Sequence, residues 1–374
     1  MLFCVVAVVV GARWSFSPKK AFAADGIKIA AVFSLTGIAA VDNAPMVRMV
    51  ELAVDSINHK GGVLGRSLEL VILDNKSTPI GSAQAAQKAV DMGVIAVIGC
   101  HWSSHSLAMA PILQKSGVPM IAPASTNPAV TQDRSYVFRA CFIDSFQGKA
   151  MAKFARESLK ARRAVVLSNV DEEYSSTLAH FFRESFEKSS GEVIADIQYR
   201  GDAVDFSEII SKIKYQSPDV IYIPGYSRDS GLFIKQARKL GVRAVFLGGD
   251  GWEDVVSFAG DTINGSYHTA AWHPMVPYPS SLKLREELKM IHNVEIMNFN
   301  SPLAYDAIML LKNAIETCGS TEKRKIRDSL LAMGPFQGAT GVITFDDQGN
   351  PEQKQVIIVQ FQDNLPMYVQ ALRP

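Results

Sequence analysis

From Ile27 onward, short runs rich in Val, Ile and Leu alternate with longer stretches of helical spacing, and this alternation restricts the fold more than any other feature. Ile27–Phe33, Leu68–Asp74, Val94–Ile98, Val118–Ala122, Ala164–Asn169, Glu192–Tyr199, Val220–Pro224 and Val245–Gly248 read as strands. Between them, Ala44–Lys60, Gly81–Met92, Ser106–Ser116, Phe146–Leu159, Ser175–Ser189, Phe206–Lys214 and Asp229–Leu240 carry apolar residues at helical spacing. Strands that are apolar nearly throughout are buried on both faces, which predicts an α/β protein of mainly parallel sheets flanked by helices. The pattern then changes. Leu282–His292, Ser301–Thr317 and Thr321–Met333 read as consecutive helices. The chain ends in a hairpin-like set, Gly341–Phe345, an Asp346–Asn350 turn, Gln355–Gln362 and Met367–Leu372. At 374 residues the chain has enough length for two such α/β halves.

Residues 1–24 read separately, as a signal peptide. Leu2–Val10 is a continuous apolar run, too short to span a bilayer, and Ala21-Phe22-Ala23-Ala24 offers small residues for cleavage. The segment before the apolar run lacks the usual positive charge. Export to the periplasm is the expectation. Net charge is +1 with 20% charged residues, and the basic clusters at Lys160–Arg163 and Lys323–Arg327 are short, which argues against a nucleic-acid surface. Cys100, Cys141 and Cys318 would remain after cleavage, with no CxxC spacing; whether any two pair is open at this stage.

Two strand ends carry the chemistry. Val94–Ile98 runs into Gly99-Cys100-His101-Trp102-Ser103-Ser104, and Val118–Ile121 into Ala122-Pro123-Ala124-Ser125-Thr126-Asn127. Ligands of parallel sheets bind beyond the carboxyl ends of strands, and hydroxyls with free N–H groups at a helix start favour an anion. The pair therefore makes a candidate carboxylate cradle, although Ser103 and Thr126 also fit a plain capping role. His101 and His105 share a helical spacing, but no HExxH pattern or third ligand accompanies them, so no metal is expected. GxSxG, GxGxxG and P-loop patterns are missing, so no catalytic residue and no cofactor are assigned.

Several segments, in order and at matching spacings, resemble one known family. They are Ser34-Leu35-Thr36-Gly37, Ile57–Gly65 with its Gly61-Gly62, Asp74-Asn75, Thr126-Asn127-Pro128, Phe138-Arg139, Asp144 with Gln147-Gly148, and Asp205-Phe206. From Ile27 to the C-terminus the chain is similar to type I periplasmic binding proteins of the branched-chain (Leu/Ile/Val) amino-acid ABC-transport family. The resemblance implies two lobes joined by three hinge crossovers: residues 25–143 plus 273–349, and residues 144–272 plus 350–374. It implies that an amino acid is trapped between closing lobes and delivered to permease subunits by a monomeric, non-enzymatic protein. Residue by residue, it makes Ser103 the carboxylate-binding hydroxyl, with Ala124, Ser125 and Thr126 completing the head-group site. Tyr174 and Tyr226 match pocket aromatics, and Asp250 matches the acidic partner of the ligand ammonium.

Two positions depart from the pattern. Asp42 stands where leucine binders carry an aromatic residue, and Trp102 is bulkier than usual beside Ser103. Both place a purely aliphatic ligand in question, and Asp42 either lines the pocket or faces solvent at the cleft mouth. A ligand-sensing receptor of the same fold and, more remotely, a hydrolase are the alternative functions.

Overall fold

The computed structural model describes residues 25–296 and 298–373; the segment read as a signal peptide lies outside them. In chain order the strands are β1 (Ile27–Phe33), β2 (Leu68–Asp74), β3 (Val97–Ile98), β4 (Met120–Ala122), β5 (Val137–Arg139), β6 (Arg163–Asn169) and β7 (Glu192–Tyr199). They continue with β8 (Val220–Ile223), β9 (Val245–Gly248), β10 (Tyr267–Ala270), β11 (Phe336–Gly338), β12 (Gly341–Ile343), β13 (Val356–Gln362) and β14 (Leu365–Leu372).

These strands form two large sheets. The first is wholly parallel, ordered β2-β1-β3-β4-β5. The second is ordered β14-β13-β10-β9-β8-β6-β7, parallel from β10 to β7, with β13 and β14 antiparallel at one end. Central strands β3, β4 and β8 are buried throughout, because helices cover both their faces. The two edges of the second sheet, β7 and β14, are instead largely half-exposed or exposed. Connections pass between the sheets three times: after β5, after β10 and after β12. The helix Ser301–Cys318 lies in the second of these excursions and packs back on Ala40–His59, β3 and β4 of the first sheet.

One crossing holds a buried lysine and aspartate bridged by a threonine hydroxyl. Lys354, just before β13, reaches the Thr340 hydroxyl, which also donates to Asp306 Oδ2 at 2.5 Å. Asp306 further accepts the backbone N–H groups of Ala339 (2.6 Å) and Thr340 (2.9 Å). Burial pulls the Lys354 ammonium down to about 8, against the opposing effect of Asp306. Cys100, Cys141 and Cys318 are all free thiols.

The terminal strands depart from the sequence expectation. Gly341–Ile343 pairs with Phe336–Gly338, and Val356–Gln362 pairs with Leu365–Leu372 across Asp363-Asn364, both at positive φ. The Asp346–Asn350 turn forms, with Asp346 Oδ1 accepting from Gln348 (2.9 Å) and Asn350 (2.7 Å). Its ladder reaches only a bridge between Phe345 and Pro351 and the bond from Glu352 N to Thr344 O. Pro351 has no N–H to extend the ladder, and the chain there leaves for the second sheet. β5, β10 and β11 are three or four residues long, too short for an alternating pattern to register.

Candidate functional site

The first sheet contributes the ends of β3 and β4. At Gly99 the backbone adopts φ +140° and passes so close to β1 that a Cβ would lie 2.2 Å from the Val32 carbonyl oxygen. The helix Ser103–Lys115 follows, starting three residues before its apolar spacing does, so that Ser103 and Ser104 sit in its first turn. Ser103 is buried, and its Oγ accepts the Asn127 N–H at 3.2 Å. Thr126 is fully buried and its hydroxyl has no hydrogen-bond partner within the protein. Ser125 behaves differently. Its hydroxyl lies 2.6 Å from that of Ser106 and 3.0 Å from the carbonyls of Cys100 and His101. It ties the two strand ends together rather than facing the cleft. Beneath them, the buried Arg139 donates to the carbonyls of Ser125 (2.6 Å) and Asn127 (2.9 Å) and so fixes the loop.

The second sheet contributes Asp250, just beyond β9. Its Oδ1 accepts from Gln147 Nε2 at 2.7 Å and from the Tyr174 hydroxyl at 2.9 Å. The Tyr174 oxygen in turn accepts the Gly251 N–H at 3.0 Å. Tyr174 approaches the backbone so closely that a Cβ on Gly249 would meet its hydroxyl at 2.2 Å. Burial pushes the Asp250 carboxyl up to about 6, although both hydrogen bonds oppose the shift. The group is a buried carboxylate with no cation bonded to it.

The two sides meet across one cleft. His101, Ser103 and Ala124 from the first, with Tyr174, Tyr226 and Asp250 from the second, enclose a cavity of about 10 Å³. Trp102 closes over it, stacked on Tyr226 with ring centroids 3.8 Å apart and planes 6° apart. Tyr226 stacks on Tyr174 (5.1 Å) and Trp102 on His105 (5.4 Å), so one aromatic column runs through the interface. Direct bonds also span it: Ser104 Oγ donates to Glu172 at 2.9 Å, and Asn127 Nδ2 to Thr177 Oγ1 at 3.0 Å. His101 Nε2 stands 3.8 Å from Glu253 Oε2. Burial, aided by His105, pulls the His101 imidazolium down to about 3, and burial pushes the Glu253 carboxyl well up. The imidazole is therefore neutral near pH 7, so this contact is not an ion pair. Among the described residues no group of three His, Cys, Asp or Glu side chains is placed to hold a metal.

The helix Ala40–His59 begins four residues earlier than its spacing suggests and keeps Pro45 inside, which puts Asp42 in its first turn. Asp42 is buried and borders a second cavity of about 430 Å³ together with Trp102, Glu172, Tyr226 and Asp229. Burial first, then Asp254 and Asp229, push its carboxyl up to about 7. It therefore faces the cleft, not bulk solvent.

The chain matches the family model described as "Periplasmic binding protein" over residues 26–365. It is 30% identical to a "Leucine-, isoleucine-, valine-, threonine-, and alanine-binding protein" of Pseudomonas aeruginosa, over 93% of this chain and 92% of that one. A crystal structure of a leucine-binding protein from Thermotoga maritima superposes with a TM-score of 0.89 at 37% identity, covering 93% of this chain and 99% of that one. A branched-chain amino acid transporter substrate-binding protein from Streptococcus pneumoniae, solved with isoleucine, gives 0.88 at 29% identity, covering 94% and 100%. The chain belongs to the Leu/Ile/Val-binding family of periplasmic binding proteins.

In this family member the residues singled out in sequence fall into three groups. Ser103, Ala124, Tyr174, Tyr226 and Asp250 line the small cavity, with Trp102 over it. Thr126 is buried next to Ser125, whose hydroxyl is engaged beneath the helix start. Asp42 borders the larger cavity. Gln147, Glu172 and Glu253 were not singled out as site residues. Gln147 lay in a quoted motif, and its bond to Asp250 is the signal that motif carried; Glu172 and Glu253 left no sequence signal.

Proposed function

We propose that this Leu/Ile/Val-family protein is exported to the periplasm and captures a free α-amino acid between two lobes for an ABC permease. The lobes are residues 25–143 plus 273–349 and residues 144–272 plus 350–374, and the protein acts as a monomer without catalysis. One observation carries the ligand class: a single buried cavity is lined by Ser103 and Ala124 on one side and by the Asp250 carboxylate on the other. A zwitterion taken out of water needs N–H and O–H donors at its carboxylate, and an anion with further acceptors at its ammonium. Ser103 at a helix start supplies the first, helped by the favourable end of the helix dipole. Asp250, held by Gln147 and Tyr174, supplies the second, with the Ala124 carbonyl as an added acceptor. Thr126, a buried hydroxyl without a protein partner, suits the same head group. The aromatic column contributed by both lobes would part and re-form as the lobes open and close.

Native mass spectrometry of the purified protein, followed by calorimetry across the common amino acids, tests this. At least one amino acid should bind with a Kd of about 1 μM or tighter, near −8 kcal/mol. Binding of a carboxylic acid lacking the amine, with no amino acid bound, would refute the role given to Asp250.

A further inference from the structure

We propose that the larger cavity of the cleft receives a positively charged side chain, so that the captured amino acid is a basic one. This deepens the amino-acid reading and rests on it. The cavity, about 430 Å³, adjoins the head-group cavity at Tyr226, which lines both. Its wall holds Asp42 from one side of the cleft and Glu172 and Asp229 from the other, with Asp171 and Asp202 at the rim. Arg228 is the one cation in that wall.

The carboxylates differ in what already satisfies them. Asp171 is tied to Arg200 at 3.0 Å, and Asp229 accepts the Tyr199 hydroxyl at 2.5 Å. Asp42, only 7% exposed, has the Ser227 hydroxyl as its neighbouring donor. That hydroxyl has a single proton, which Asp42 shares with the Gly251 carbonyl at 3.3 Å. Glu172 receives the Ser104 hydroxyl alone. Carboxylates buried without a cation are costly and mark places where a cation binds. Trp102 and Tyr226, stacked on each other, give the cavity an apolar wall along which a methylene stem can lie, as long basic side chains require.

Electrostatics supports the geometry. Asp42 faces Asp254, Asp229 and Glu253; Glu172 faces Glu173, Asp229 and Asp171. Burial, reinforced by these like charges, pushes Asp42 and Glu172 each up to about 7. An entering cation favours the ionised form of both, so its binding releases protons near neutral pH.

Calorimetry with L-lysine and L-arginine against L-norleucine and L-leucine, at pH 6 and pH 8 and in two buffers of different ionisation enthalpy, tests this. Lysine or arginine should bind at least about tenfold tighter than norleucine, the gap should widen from pH 6 to pH 8, and the heats should differ between buffers. Asp42→Asn and Glu172→Gln, each checked by thermal melting to be folded, should cut the lysine-to-norleucine affinity ratio about tenfold. Leucine or norleucine binding tighter than lysine at pH 8 overturns the proposal while leaving the amino-acid reading intact. Binding of no amino acid at all refutes that reading, and the proposal falls with it.

Discussion

Asp250→Asn separates the fold's interest from the site's interest, because the two respond in opposite directions. The Asp250 carboxyl is raised from 3.8 to about 6, chiefly by burial. At about 1.4 kcal/mol per pH unit, that shift of roughly 2 units makes ionised Asp250 cost about 3 kcal/mol in the ligand-free protein. The sign follows from proton counts. Between pH 4 and pH 6 the folded state holds a proton that the unfolded chain has released, so ligand-free stability falls as pH rises through that window and is flat above it. Asparagine keeps an acceptor for Gln147 or Tyr174 and removes the charge. The variant should therefore melt higher than the parent at pH 8, by several degrees for about 3 kcal/mol, and no higher at pH 4. Amino-acid binding should move the other way, weakening by about 2–5 kcal/mol because the ammonium loses its buried counter-ion. For norleucine, which has no side-chain charge, parent affinity should drop about tenfold per unit below pH 6, and the variant should lose that dependence. Differential scanning calorimetry and titration calorimetry on the same samples read both quantities. A variant no more stable than the parent at pH 8, or one that keeps full affinity, would refute the assignment of Asp250 as the strained counter-ion.

Thr126→Val should weaken amino-acid binding by about 1–2 kcal/mol; equal affinity in calorimetry removes Thr126 from the head-group set. Lys354→Met should destabilise the protein by about 3–5 kcal/mol by leaving Asp306 buried and uncompensated, and adding Asp306→Asn should recover much of that loss. Thermal melts of the two variants decide it, and a double variant no better than the single one counts against the pairing. Small-angle scattering should show compaction when saturating ligand is added, and an unchanged radius of gyration would argue against closure of the cleft on ligand.

Strands whose length and composition agree were readable from sequence. Ile27–Phe33, Leu68–Asp74, Glu192–Tyr199 and Val245–Gly248 coincide with β1, β2, β7 and β9 residue for residue. Each is at least four residues of mostly β-branched or aliphatic character bounded by a clear break. Helix starts were less legible, because the first turn is set by caps and tertiary contacts as much as by apolar spacing. The helix at Ser103 begins with two serines that spacing alone assigns to a loop. Strand-end chemistry made Ser103 part of a candidate carboxylate cradle and the resemblance gave it the specific role; the structure adds how it is placed: Gly99 lets β3 end against β1, and Arg139 pins the facing loop.

What sequence could not supply is the pairing across the cleft, and the reason is geometric. Ser104 and Glu172, or His101 and Glu253, belong to helices and loops that no local pattern connects; they meet because two separately built sheets present their strand ends to each other. Glu172 is crowded by Glu173, Asp229 and Asp171 of its own half and takes the Ser104 hydroxyl from the facing half. Asp42 instead meets its acidic neighbours across the cleft: its carboxyl is raised by burial and by Asp254 and Asp229 of the opposite side. Closure thus brings Asp42 up to acids that the other half already holds. Opening the cleft rehydrates these groups and relieves their repulsion, whereas a bound cation relieves it with the cleft shut. Closure and selectivity are then one equilibrium: a ligand that neutralises the facing carboxylates stabilises the closed state, and one that does not leaves their repulsion to reopen it.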